Sequence, residues 1–204
     1  MPEQPALPRY TSENTGASLK FFIPSKKNWF IIIFLGFWLI FWAIAEVAVG
    51  GGMIVGIIKM LIEGKLLELL VEGVLGGLFI FVWFALCTVG GSFALYTWLW
   101  NITGREVIEV TGESIQIARR IFSFGKPKEY TASHIKDLRT VPTAGHGVWG
   151  FRVTRFTWGV PPGTLAFDYG AKTVNFGSGC EEAEAKMILK EIWQAYPQYK
   201  PREE

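Results

Sequence analysis

Two long stretches of this chain show no alternation of polar and apolar positions. From Asn28 to Ala45, eighteen residues rich in Phe, Trp, Ile and Leu carry no charge. From Gly73 to Gly104 there is again no charged residue. A helix rises about 1.5 Å per residue, so about 20 apolar residues cross a hydrocarbon layer. The second stretch exceeds that length, and the first reaches it by continuing through Glu46 to Val49. Lys26, Lys27 and Trp29 before the first span, and Trp98 and Trp100 near the end of the second, suit a membrane interface. Gly50-Gly51-Gly52 reads as a break after the first span. Residues 53–72 then carry apolar positions at helical spacing, with Lys65, Glu68 and Glu72 on one side. This predicts an amphipathic connector, lying at the membrane surface or extending the hairpin beyond it.

From Arg105 onward the period changes to that of short strands with turns between them. Val107–Val110 and Ile115–Phe122 flank the turn Thr111-Gly112-Glu113, and Gly125-Lys126-Pro127 turns the chain again. Further strands are expected at Lys128–Thr131, Ile135–Val141, Trp149–Thr157, Thr164–Asp168 and Thr173–Phe176. The last element is a helix over about 179–196, with Ser178 as N-cap and Glu181 three residues on. Ala185, Ile188, Leu189, Ile192 and Tyr196 form its apolar stripe, and Pro197 stops it. The plan is a flexible cytoplasmic N-terminus over 1–25, a two-helix hairpin over 26–102, a β domain over 103–197 and a tail over 198–204.

Composition agrees with a membrane anchor. Half the residues are hydrophobic, and between Asn28 and Gly104 only Glu46, Lys59, Glu63, Lys65, Glu68 and Glu72 are charged. The mean hydropathy is +0.28. A net charge of +2 argues against nucleic acid as a partner, which requires a dense basic face. The first apolar run could instead be a signal peptide ending at Ala43-Ile44-Ala45, but its long preamble and its Phe and Trp content disfavour that. Lys20, Lys26, Lys27 and Arg105 flank the hairpin, which places both termini in the cytoplasm.

The stretches Pro24-Ser25-Lys26-Lys27-Asn28-Trp29-Phe30, Ala166-Phe167-Asp168-Tyr169-Gly170-Ala171-Lys172-Thr173 and Glu182-Ala183-Glu184-Ala185 resemble those of uncharacterised bacterial membrane proteins. A membrane hairpin followed by a strand-rich domain ending in one helix is similar to the pleckstrin-homology-like (PH-like) members of that group. The resemblance covers roughly residues 24–196. It implies two near-orthogonal antiparallel sheets capped by a C-terminal helix, and a bacterial inner membrane. It implies no activity and no phosphoinositide.

Arg119, Arg120, Lys126 and Lys128 gather around one expected hairpin and are the candidate contacts for anionic headgroups. A solvated strand edge is the alternative reading. Trp149, Phe151, Phe156 and Trp158 place large apolar groups on both faces of one strand and are the candidate partner surface. Glu46 lies near the end of the first span, where it can reach the interface; a buried polar contact is the alternative. Cys87 and Cys180 have no CxxC or Cys/His context, so free thiols are expected. Cys180 at a helix start lacks a base, His134 and His146 lack further ligands, and Asp168-Tyr169-Gly170 reads as a turn. No metal, cofactor or catalytic set is expected. The expected role is a non-enzymatic interaction module, an accessory or assembly subunit binding a protein partner at the membrane. That partner could be a membrane complex or a second copy in a homo-oligomer. The alternative is a protein that binds or organises anionic lipid; an enzyme or transporter is third.

Overall fold

The structure is a computed structural model and describes residues 8–64, 74–141 and 163–201. The chain divides into two units. One is Asn28–Trp98; the other joins Met1–Lys27 to Leu99–Glu204.

The first unit is helical. Helix α1 spans Trp29–Ile62 and starts at Asn28, whose side chain accepts a hydrogen bond from the Ile31 N–H at 3.2 Å. Helix α2 spans Val74–Thr103. At 1.5 Å per residue they are about 51 and about 45 Å long, more than a bilayer core of about 30 Å. Both are long and apolar enough to cross a membrane, and only 6% of each apolar window is buried. Phe30, Ile62 and Phe79 are 76%, 80% and 69% exposed. Helices of this kind do not form the core of a water-soluble domain, because so much apolar surface in water would drive association.

The helices run antiparallel and meet through tryptophans seated on glycines. Trp98 lies over Gly36 and donates its indole N–H to the Ile32 carbonyl at 2.9 Å. Trp42 packs on Gly91 and donates to the Cys87 carbonyl at 3.2 Å. A Cβ at Gly91 would collide with the Trp42 ring. The Thr88 hydroxyl faces both a Glu46 carboxylate oxygen and the Phe84 carbonyl, which share its one proton.

Two expectations are corrected here. Gly50-Gly51-Gly52 does not break the helix; α1 runs through it to Ile62, so residues 53–62 are no separate connector. Residues 65–72 of the expected connector lie outside the described residues. Glu46 is therefore not at a helix end. It sits in mid-helix, between the charges of Lys27 and Lys59, on the hydrogen bond from Thr88.

The second unit is a β domain. Among the described residues, a five-stranded sheet has the order β1-β2-β3-β4-β5 and a three-stranded sheet the order β6-β7-β8. The strands are β1 Thr11–Asn14, β2 Leu19–Pro24, β3 Gly104–Val110, β4 Ser114–Ile121 and β5 Lys128–Thr131. They continue as β6 Ile135–Thr140, β7 Leu165–Tyr169 and β8 Lys172–Phe176, before helix α3, Glu182–Ala195. All pairings are antiparallel. The expected flexible N-terminus is thereby corrected. Residues 11–14 and 19–24 are strands, and the helical hairpin is an insertion between β2 and β3.

Alternation explains why β2 belongs there. Leu19, Phe21 and Ile23 all face the core, and Phe21 is wholly buried opposite Ile108. Burying each such side chain contributes roughly 1.5–3 kcal/mol. Ile108, Val110, Ile115, Leu138, Leu165, Phe167 and Phe176 complete the centre, and α3 closes it with Ala185, Ile188, Leu189 and Ile192. Helix α3 begins at Glu181, in a capping box with Glu184, and not at Ser178. The expected strand Trp149–Thr157 lies outside the described residues.

Candidate functional site

Strands β4 and β5 are joined by a tight turn. Ile121 and Phe124 exchange both backbone hydrogen bonds at 3.0 Å, leaving Phe122 and Ser123 as the two central residues. Phe122 has φ +54°, in the left-handed region where a two-residue hairpin ordinarily carries Gly. A side chain in that region costs about 1–2 kcal/mol. Gly125 follows, and a Cβ there would strike the Arg119 carbonyl, so the return strand passes close to β4. Phe122 and Phe124 are 56% and 83% exposed.

Beside this hairpin is a pocket of about 170 Å³, lined by Ile117, Arg119, Lys126, Lys128, Tyr130, Val174 and Asn175. Three of the four expected basic residues meet there. Arg120 does not. Successive residues of a strand face opposite sides, so Arg120 lies on the other face, directly across from Arg105. Among the described residues its buried Nε has no hydrogen-bond partner.

Arg119 is held from behind. Its Nε donates to Glu106 Oε1 at 3.4 Å, and the Glu106 carboxylate is wholly buried. The other carboxylate oxygen accepts from the Ser178 N–H at 2.6 Å and the Ser178 hydroxyl at 2.9 Å. An ionised group out of water is tolerable only when so paired. Glu106 thus fixes the guanidinium, and none of the pocket-lining residues is acidic. Burial pushes the Tyr130 phenol above its ordinary range, partly opposed by Arg119, so it stays protonated and able to donate. The lining offers three cations, a phenol and an amide to one small volume, a donor set matched to phosphate or carboxylate.

The remaining candidates fall elsewhere. Trp149, Phe151, Phe156, Trp158 and His146 lie outside the described residues. His134 is exposed, 5.8 Å from the Tyr169 ring. Among the described residues no group of three metal-ligating side chains gathers. Cys180 is buried, and burial, with Glu184 and Glu106 nearby, pushes its thiol up to about 12, which leaves no thiolate for chemistry. Of Asp168-Tyr169-Gly170, expected as a turn, Asp168 and Tyr169 are the last residues of β7, and the two-residue turn to β8 is Gly170-Ala171. Asp168 accepts from Arg139 at 2.9 Å and Thr173 at 2.7 Å, and Gly170 takes φ +60°. Sequence reasoning missed Glu106, Tyr130 and Asn175. Only the odd polar residue on the apolar face of β3 hinted at the first.

Searches against protein-family models, curated proteins and solved structures give no match to this chain.

Proposed function

We propose that this protein is a membrane-anchored, non-enzymatic binding module that takes an anionic, phosphate-bearing group in the Arg119–Lys126–Lys128 pocket. In this reading α1 and α2 cross a bacterial inner membrane with both termini in the cytoplasm, and the β domain has a PH-like fold. Two antiparallel sheets closed by a C-terminal helix support the fold assignment. The observation that carries the functional reading is the pocket itself: three basic side chains, one fixed by a buried carboxylate, and no acidic lining residue. Membrane lipid is the nearest source of phosphate for a tethered domain, and tethering lets weak contacts count.

The test is to purify the full-length chain in mild detergent and identify what accompanies it. Retained anionic lipid, lost from a Lys126→Ala/Lys128→Ala variant, supports the reading. A stoichiometric protein companion without anionic lipid would replace it with the accessory-subunit role.

A further inference from the structure

We propose that Phe122 and Phe124, at the tip of the β4–β5 hairpin, insert into the interface of the membrane that α2 leaves. The occupant of this exposed aromatic tip is thus an anionic lipid surface. The inference deepens the reading of the basic pocket and rests on it for the charge of that surface.

Three observations point to this. The first is exposure: two large apolar side chains stand in water at one turn, with no cover from the described residues. A soluble domain gains nothing from them there. The second is strain. Phe122 holds a left-handed backbone conformation that Gly would adopt freely, and strain of this kind persists where a side chain is needed for something other than folding. The third is position. The Arg105 guanidinium donates to the Phe122 carbonyl at 3.3 Å. Arg105 follows the last residue of α2, Thr103, by two positions, and that last turn is built into the β domain. Trp100 is buried, its carbonyl accepts from the Ser25 hydroxyl at 2.8 Å, and Gly104 accepts from the Ser25 N–H at 2.9 Å. The tip is therefore one arginine side chain away from the chain's exit from α2.

The charges around the tip match the occupant. Arg105 and Arg120 face each other across β3 and β4, an unfavourable like-charge pair unless anions lie against it. Arg119, Lys126 and Lys128 border the other side. Aromatic residues ringed by basic ones are the side-chain set that settles at a headgroup layer, with rings at the acyl boundary and cations at the phosphates. Docked this way, the tip would fix the orientation of the β domain on its own membrane.

The test is depth-dependent quenching in bilayer nanodiscs holding the full-length chain. A bimane probe is placed on Phe124→Cys in a chain whose own cysteines are Ala. A control probe goes on Glu113→Cys, at the turn on the far end of β3 and β4. With phosphatidylglycerol present, the probe at 124 should shift to the blue and be quenched at least threefold more by brominated acyl chains than the probe at 113. Phe122→Ser should reduce that difference. Phe122→Gly, which frees the backbone, should reduce it equally while raising the thermal midpoint. Equal quenching at 124 and 113 overturns the insertion, even if anionic lipid still binds. Preferential quenching at 124 that persists in purely neutral lipid keeps the insertion and overturns the anionic reading on which its charge rests.

Discussion

Replacing Phe21 by Ala tests whether the residues before the hairpin are part of the β domain. Phe21 is wholly buried, pairs with Ile108 in the adjacent strand, and meets Tyr10 edge-on with ring centroids 5.9 Å apart. Truncating a buried Phe costs about 3–5 kcal/mol, and the lost aromatic pair is part of that. Domains are stable by about 5–15 kcal/mol, so the loss is a large share of the total. Each 1.4 kcal/mol is tenfold in an equilibrium, so amide exchange through global opening should speed up by about a hundredfold or more. The assay is hydrogen exchange by mass spectrometry on the full-length chain in detergent. Acceleration should appear in β3 and β4, residues 104–121, which follow Phe21 only after the whole hairpin. Phe22→Ala is the control, since Phe22 is half-exposed on the opposite face, and it should change exchange by less than about fivefold. If Phe21→Ala leaves residues 104–121 within threefold of the parent chain, the N-terminal strands are not part of that core.

Other expectations follow from the same contacts. Glu106→Ala removes the acceptor of Ser178 and leaves Arg119 without its buried partner; a loss of about 3–5 kcal/mol in urea unfolding is expected, against less for Glu106→Gln. Cys180 should resist thiol reagents at pH 8, because its thiol is pushed up to about 12 and ionises only as pH rises towards that value; rapid labelling of folded protein would contradict its burial. Thr88→Val removes the side-chain bond to Glu46 between α1 and α2. It should weaken the hairpin by about 0.6 kcal/mol and at most about 1.7, read as a shift in a detergent-denaturation midpoint.

Much of this architecture is legible in the sequence for a simple reason. Charge-free runs and turn residues act locally, so the two apolar helices, β3 to β8 and α3 follow from pattern alone. What failed depended on distant partners. Leu19-Lys20-Phe21-Phe22-Ile23-Pro24 is short, interrupted by Lys and ended by Pro, and its apolar alternation acquires meaning only beside β3. The Gly50–Gly52 run would end a helix in water, yet α1 continues through it to Ile62, as expected of a helix whose surrounding is apolar and offers its backbone no alternative hydrogen bonds. In the basic hairpin, strand parity separates Arg119 from its neighbour Arg120, so four clustered charges become three around a pocket and one beside Arg105. Ser178 has the side chain of an N-cap, yet its hydroxyl and N–H are taken by Glu106 from a strand far away in the chain. Glu181 caps α3 in its place.

The claim on which the rest depends is that one β domain is assembled from both flanks of the helical hairpin. Its most direct test is a cross-strand disulfide between Lys20→Cys and Glu109→Cys, in a chain with Cys87 and Cys180 replaced by Ala. These residues are register partners whose side chains form an ion pair at 3.2 Å. Counting from the Ser25–Gly104 hydrogen bond, they occupy a pair without mutual backbone bonds, where Cα atoms approach to about 4.5 Å. Mild oxidation in native membranes should give an intrachain disulfide, identified by mass spectrometry as one peptide from each side of the hairpin. Free thiols, or links only between separate chains, would contradict the account.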